Sequence, residues 1–377
     1  MPSIFFISLM NGAPWGGSEE IWYKTALYCS DRGWKVGCAA FAWTAKEQQF
    51  TILEKNGCNT YRIPNTGRRK SNILEKIRYK FTKLQQVRFC KSLPLAEYDL
   101  VVINLGGYEI CTKQWRNFYQ SLPSYALVFH NYDTNAIWTK AQENALKDWM
   151  LNAKKNLFDA AKICSVLEAQ LNLSIPKASA IINPITFAPP NSPIPFPELQ
   201  ENRFVLAMLA ALDVSRKAQD NLVLALSAPK WKKRDWLLHL YGGGDDGKYL
   251  QTLIEQNQLE NKVFLKAHTA DVQSALEQAH LVLQMTHMDA MPISVVEALA
   301  VGRPVVVSNI GDMPLWVREN ENGWISRDAS VEEIDNTLEK AWAQRNNWGQ
   351  MGEKSFSIFK EKYPSSPEEY FLNQLNA

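Results

Sequence analysis

Asp289 and Glu297 frame a helix start in the stretch Asp289-Ala-Met-Pro-Ile-Ser-Val-Val-Glu297-Ala-Leu-Ala-Val-Gly302-Arg-Pro304-Val-Val-Val-Ser308. Pro292 suits a first helical position. Gly302 suits the left-handed residue that ends a helix, and Pro304 blocks its continuation. Val305 to Val307 is a β-branched run fit for a parallel strand covered on both faces. With Leu281 to Leu283 as the strand before it, the unit reads β-loop-α-β, with Asp289 at the mouth and Glu297 one to two turns inside. Backbone N–H groups at such a helix start favour an anion. A carboxylate beside them accepts hydrogen bonds from hydroxyls. Phosphate and hydroxyls together describe a nucleotide, or a sugar carried on one.

Other residues could share that chemistry. Arg216 and Lys217 follow an apolar run, Phe204 to Leu209, and precede a helix starting near Asp220. Lysine can meet a diphosphate as a point charge and arginine as a fork of donors. In isolation an Arg-Lys pair is more often a solvated turn. Gly242-Gly243-Gly244 follows a second apolar run and reads as a tight turn or as a place where backbone approaches a ligand. His130 ends a strand; a lone histidine there is more often structural. His239, His280 and His287 have no metal-ligand spacing, and no Asp-x-Asp pair occurs.

The elements that must position these residues alternate along the chain. Ile4 to Met10 is a strand ending in a Gly/Pro loop, with Ser18 as N-cap and Glu19 and Glu20 in the first turn of a helix that Gly33 ends. Lys35 to Phe41, Leu100 to Asn104 and Ala126 to His130 are further strands. A second series comprises Phe204 to Leu209, Trp236 to Tyr241, Val263 to Leu265, Leu281 to Leu283 and Val305 to Val307. Such alternation predicts parallel sheets, with ligands beyond the strand C-termini. Gly16, Gly106, Gly107 and His130 fall there in the first half. Between Asn183 and Glu198, six prolines make a stiff linker.

Composition sets outer bounds. The 377 residues suffice for two domains, and 46% hydrophobic with 21% charged residues fits a globular chain. A net charge of +2 gives no reason to expect nucleic acid. No apolar run reaches the length of a membrane span. The N-terminus reads as a first strand and not as a signal peptide, and the expected location is the cytoplasm, either free or peripheral to the membrane. The six cysteines (Cys29, Cys38, Cys58, Cys90, Cys111, Cys164) include no CxxC pair and read as reduced thiols. The thirteen tryptophans fit sugar-binding surfaces or ordinary core. A basic run from Arg68 to Lys91, with Ile73, Leu74, Ile77, Phe81 and Leu84 interleaved, reads either as a solvated helix face or as a surface for anionic lipid.

The stretch from Asp289 resembles the Glu-x7-Glu region of retaining glycosyltransferases with the GT-B fold, family 4 type (glycosyl transferases group 1). The likeness extends through Ser215 to Asp220, Tyr241 to Asp246, His268 to Val272 and Gly311 to Trp324, and to Gly16-Gly17-Ser18-Glu19 at the other end. The resemblance implies an α/β chain of two doubly wound Rossmann-like domains facing across a cleft: an acceptor-side domain over 1–186, a nucleotide-sugar domain over 187–355, and a last helix over 356–377 crossing back. It implies that Glu297 binds ribose hydroxyls and Asp289 the donor sugar, while Lys217 and Arg216 meet the diphosphate. Ala290, Met291, Pro292 and Ile293 would line sugar and phosphate with backbone, Gly243, Gly16 and Gly17 would let backbone approach the donor, Asp271 would flank the base, and His130 would lie near the sugar. Two departures stand out. The first carboxylate is aspartate, one methylene short, and an arginine usual before the lysine is replaced by Ala211 or Leu212.

The implied function is retaining transfer of a hexose from a nucleotide-diphosphate sugar to a glycan or lipid-linked hydroxyl, in surface polysaccharide or glycolipid assembly. It needs no cofactor and no metal, because Lys217, Arg216 and helix-start amides would carry the diphosphate charge. Alternatives are a non-catalytic GT-B subunit that binds a sugar nucleotide, and a sugar-nucleotide epimerase.

Overall fold

The computed structural model describes residues 1–11, 15–65, 73–106, 113–130 and 137–376, with the side chains of 73–80 and 113–114 outside the description. The chain forms two compact units, Met1–Pro184 with Ser365–Ala377, and Ile185–Pro364. The helix Trp348–Lys362 stays with the second unit, so the return to the first falls at Ser365, later than residue 356.

The first unit is built on a seven-stranded sheet. Its strands are β1 (Ser3–Ser8), β2 (Lys35–Phe41), β3 (Asn59–Ile63), β4 (Leu100–Leu105), β5 (Tyr125–Phe129), β6 (Lys155–Phe158) and β7 (Ala178–Ala180), in the order β3-β2-β1-β4-β5-β6-β7. Every pairing is parallel. β1, β4 and β5 are buried along their whole length, which is why they read as unbroken apolar runs. The helix Gly17–Asp31 turns Ile21, Trp22, Thr25, Ala26 and Cys29 inward and ends where Gly33 takes φ +75°. Phe371, Leu372 and Leu375 of the last helix, Pro367–Asn376, join the same core as Ile21 and Trp22. The helix N-cap is Gly16, in extended backbone, and not Ser18. Ser18 instead lies in the first turn.

The second unit repeats the plan. β8 (Phe204–Leu209), β9 (Trp236–Tyr241), β10 (Val263–Lys266), β11 (Leu281–Gln284), β12 (Val305–Ser308) and β13 (Gly323–Ser326) form a parallel sheet in the order β10-β9-β8-β11-β12-β13. Trp231, Trp236, Trp324 and Trp348 are fully buried in its core. These tryptophans pack; they do not present a sugar-binding surface.

The proline-rich segment is not a free spacer. Arg303 is fully buried. Its guanidinium donates to the carbonyls of Ile194 and Pro195 on that segment, and to those of Leu276, Glu277, Val301 and Gly302. Burial lowers its pKa to about 10. Gly302 takes φ +74°, and a Cβ there would meet Pro193 at 2.9 Å. Among the described residues, Cys29, Cys38, Cys58, Cys90 and Cys164 are free thiols, all but Cys164 buried; Cys111 lies outside them.

His239 and His280 are buried in the second unit, and burial lowers both to about 4, with Lys266 adding to the effect on the first and Arg303 on the second. His280 Nδ1 accepts the Val205 N–H at 2.9 Å, a bond only the neutral ring can make. The unfolded chain therefore binds more protons between pH 6.5 and pH 4, and stability is lost as pH falls through that window. Lowering the pH from 7 to 5 should cost about 2–4 kcal/mol from the two groups together. Denaturant midpoints at the two pH values check this, and His239→Phe should lose about half as much as wild type.

Candidate functional site

In the second unit the strand order reverses between β8 and β11, so the loops leaving these neighbours run to opposite sides and open a crevice. Lys217 follows β8 and Asp289 follows β11, and their side chains meet in an ion pair, Nζ to Oδ2. The groups are 13% and 15% exposed, enough for a ligand to reach them. Lys217 closes the short helix Val214–Lys217; Ala218 then turns left-handed, with φ +48°, before the helix Gln219–Leu226. The Arg216 carbonyl accepts the Thr286 hydroxyl at 2.6 Å and the His287 N–H at 2.8 Å, which ties the two loops together. The Arg216 side chain itself is exposed.

The loop after Asp289 is held from below. Ala290 N–H donates to Asp289 Oδ1 at 3.0 Å, and the Asp312 N–H donates to the Ala290 carbonyl at 2.9 Å. Gly311 takes φ +57°, and a Cβ there would sit 1.8 Å from the Ala290 oxygen. The Gly311-Asp312 turn is therefore a support for Ala290. Met291 and Pro292 lead into the helix Ile293–Ala300, whose N-cap is Pro292 with ψ 123°. Proline thus stands one position before the first helical residue. No side chain caps that helix start, leaving its leading N–H groups for an anion.

Glu297 lies inside this helix, 3% exposed, and Thr186 donates to its Oε1 from both backbone and hydroxyl, at 2.9 and 2.5 Å. The three glycines divide by role. Added Cβ atoms at Gly242 and Gly244 would meet Ala210 O at 2.0 Å and Leu212 O at 2.2 Å, whereas Gly243 has nothing within 4 Å. Two of them serve the turn and the middle one faces open space. Asp271 caps the helix Val272–Glu277, accepting from Ser274 N and Oγ at 3.0 and 2.7 Å, and those bonds hold its carboxyl below the usual range.

The first unit has its own reversal, between β1 and β4. Gly16 opens the helix there with nothing within 4 Å of an added Cβ, and Gly17 is the first helical residue. A line of buried polar groups follows the sheet order. Lys46 pairs with Glu19, whose Oε2 accepts Ser8 Oγ at 2.6 Å and the Trp22 indole. Asn104 Nδ2 reaches Ser8 Oγ at 3.5 Å and donates to the Ser18 carbonyl at 3.1 Å. That turns its oxygen toward His130 Nε2. His130 Nδ1 faces Asp159 at 2.8 Å, and Asn183 donates to the same carboxylate at 3.2 Å. His130 is thus 4% exposed with both ring nitrogens engaged. Glu19 belongs to this buried line and does more than complement a helix end. Gly107 lies outside the described residues.

The fold and the crevice of the second unit define the GT-B class. Residues 194–356 match the family Glycosyl transferases group 1. A poly(ribitol-phosphate) α-N-acetylglucosaminyltransferase of Staphylococcus aureus (strain COL) is 28% identical over 141 residues, 37% of this chain. The chain spans only 29% of that relative's length. Among solved structures, a mutant of S. aureus TarM in complex with fondaparinux, α-GlcNAc-glycerol and UDP superposes with TM-score 0.75 at 14% identity, covering 100% of both chains. Anabaena HepE in complex with UDP-glucose superposes with TM-score 0.72 at 17% identity, covering 99% of each. At such identities these likenesses establish the shared fold.

Of the residues singled out from sequence, Lys217, Asp289, Ala290, Met291, Pro292, Ile293 and Glu297 come together in the second unit. Thr286 and Thr186 were missed, and Gly311, inside the family-like stretch, was given no role. Thr186 carries no local signal, since its partner lies 111 positions away.

Asp289 is the internal competitor of any anion for Lys217. Asp289→Asn should therefore tighten UDP by about tenfold, ~1.4 kcal/mol, and Lys217→Met should weaken it by a similar factor. Calorimetric titration reads both; an Asp289→Asn affinity at or below wild type would contradict the competition.

Proposed function

We propose that this chain transfers a hexose from a nucleoside-diphosphate sugar to a hydroxyl of a glycan or lipid-linked acceptor, with retention at the anomeric carbon, in assembly of a cell-surface polymer. The observation that carries the reading is the meeting of Lys217 and Asp289 at the strand-order reversal, beside an uncapped helix start. The group 1 match over the same residues supports it, as do the UDP and UDP-glucose complexes of similarly folded proteins.

In this reading the diphosphate draws Lys217 from Asp289 and takes hydrogen bonds from the amides opening at Ile293. Released, Asp289 accepts hydrogen bonds from sugar hydroxyls. Negative charge grows on the leaving diphosphate as the glycosidic bond breaks, and a prepositioned cation lowers the barrier. Arg216, exposed beside Lys217, adds a second cation. Glu297 takes the ribose hydroxyls, Gly243 leaves room for the nucleotide, and the backbone near Asp271 flanks the base. His130 is held in one orientation by Asn104 and Asp159. The charge on the diphosphate is met without a metal.

Transfer from UDP-glucose to a hydroxyl acceptor, followed by NMR of the product anomer, tests the reading. Lys217→Ala should lower turnover by about 10²-fold, and EDTA should change the rate little. Loss of activity in EDTA restored by Mg²⁺ would contradict the metal-free mechanism. Epimerised donor without acceptor would favour an epimerase, and binding without turnover a non-catalytic subunit.

We also propose contact with anionic membrane through the helix Ile73–Ser92. Phe81, 63% exposed, and Leu84, 41% exposed, share a solvent face with Arg88 and Lys91, while Thr82, Gln86, Val87 and Cys90 turn inward. Arg68, Arg69 and Lys70 lie outside the described residues, as do the side chains of Ile73, Leu74, Lys76, Ile77, Arg78 and Lys80. Among the described residues no helix is long and apolar enough to cross a membrane. Co-sedimentation with anionic vesicles should fall with added salt and with Phe81→Ser/Leu84→Ser; equal binding to neutral vesicles would remove the proposal.

A further inference from the structure

Glu297 presents a physical problem of its own. A carboxylate 3% exposed must be met by donors, or its charge would be too costly to keep. Two of them come from Thr186, whose N–H and hydroxyl both donate to Oε1. Thr186 lies just past Pro184–Ile185, where the chain passes from the first unit into the second. Beside it, the Ile185 N–H donates to the Tyr363 hydroxyl at 2.9 Å. Tyr363 follows the helix Trp348–Lys362 and precedes Pro364–Ser365, where the chain passes back. The second unit therefore grips the outgoing passage at two adjacent residues. One grip is Tyr363 and the other is Glu297.

We propose that Thr186 is a positioning residue for Glu297, and that through this pair the nucleotide ribose and the passage between the units share one carboxylate. The inference rests on the reading of Glu297 as the ribose ligand. Two donors on Oε1 fix the carboxylate's rotamer. A ribose diol then meets an oriented acceptor and does not have to order one. Coupling of this kind is reciprocal: if the Thr186 bonds favour nucleotide, nucleotide favours the Thr186 bonds by the same factor. Occupancy of the crevice should therefore be felt at the backbone of Thr186, with no contact between the ligand and that residue.

Three variants and one exchange measurement test this. Thr186→Val keeps the shape and the backbone donor but removes the hydroxyl; it should weaken UDP by about 5- to 10-fold and raise the donor KM more than it lowers kcat. Thr186→Ser restores the hydroxyl and should return UDP affinity to within about twofold of wild type. In Glu297→Ala, adding Thr186→Val should have no further effect on UDP. Hydrogen exchange at the Thr186 amide should slow when UDP binds to wild type and not in Glu297→Ala. If Glu297→Ala binds UDP as wild type does, the ribose reading itself fails and this one with it. If Glu297→Ala weakens UDP but Thr186→Val does not, only the positioning role is overturned. Should Thr186→Val fold poorly by thermal melting, Thr186→Ser and the exchange readout decide, and a Thr186 amide indifferent to UDP overturns the proposal.

Discussion

The candidate site depends on one constraint: in the second sheet β8 and β11 are neighbours, although two strands and their helices separate them in sequence. That reversal brings Lys217 to Asp289 across 72 positions. The ion pair is only part of the fastening. The Arg216 carbonyl takes the Thr286 hydroxyl, and Ala290 is seated on Gly311 and Asp312, so the backbone of both loops is fixed. A cation and an anion held this way, with little exposure, are poised to exchange partners with a charged ligand. Their attraction is modest where water still reaches them. Its value, in the function proposed above, lies in holding Lys217 ready for a diphosphate.

The first unit solves a related problem differently. Its reversal point carries a line of buried polar groups from Lys46 through Glu19, Ser8, Asn104 and His130 to Asp159 and Asn183, each from the C-terminal end of a strand or from the loop or helical turn that follows it. Burying so many polar groups is costly unless each finds a partner, and here each side chain meets at least one neighbour in the line. Such a line fixes the rim of the sheet more firmly than apolar packing alone could, because hydrogen bonds are directional.

Much of this was legible in the sequence, and what was missed has physical reasons. Phe204 to Leu209 and Lys35 to Phe41 were read with the observed bounds because central parallel strands are continuous apolar runs. β3, β7 and β13 escaped because edge strands are short and need not be apolar on both faces; β7 is only Ala178–Ala180. β6 escaped because Lys155 and Asn156 interrupt its run. The helix with Glu297 was legible from Pro292 and Gly302, whose backbone preferences are strong. Ser18 was misread as a cap because glycine at Gly16 sends no comparable signal. The carboxylate partners of Lys217, Lys46 and His130, and the Thr186 donors to Glu297, depend on which strands lie side by side. No local pattern reports that.

The most direct test of this account is a crystal structure of the protein with UDP bound. The account predicts the diphosphate beyond β8 and β11, with an oxygen on Lys217 Nζ, another facing the amides at Ile293, the ribose hydroxyls on Glu297, and the Lys217–Asp289 pair broken. A nucleotide bound elsewhere, or bound in this crevice with Lys217 still paired to Asp289, would contradict it.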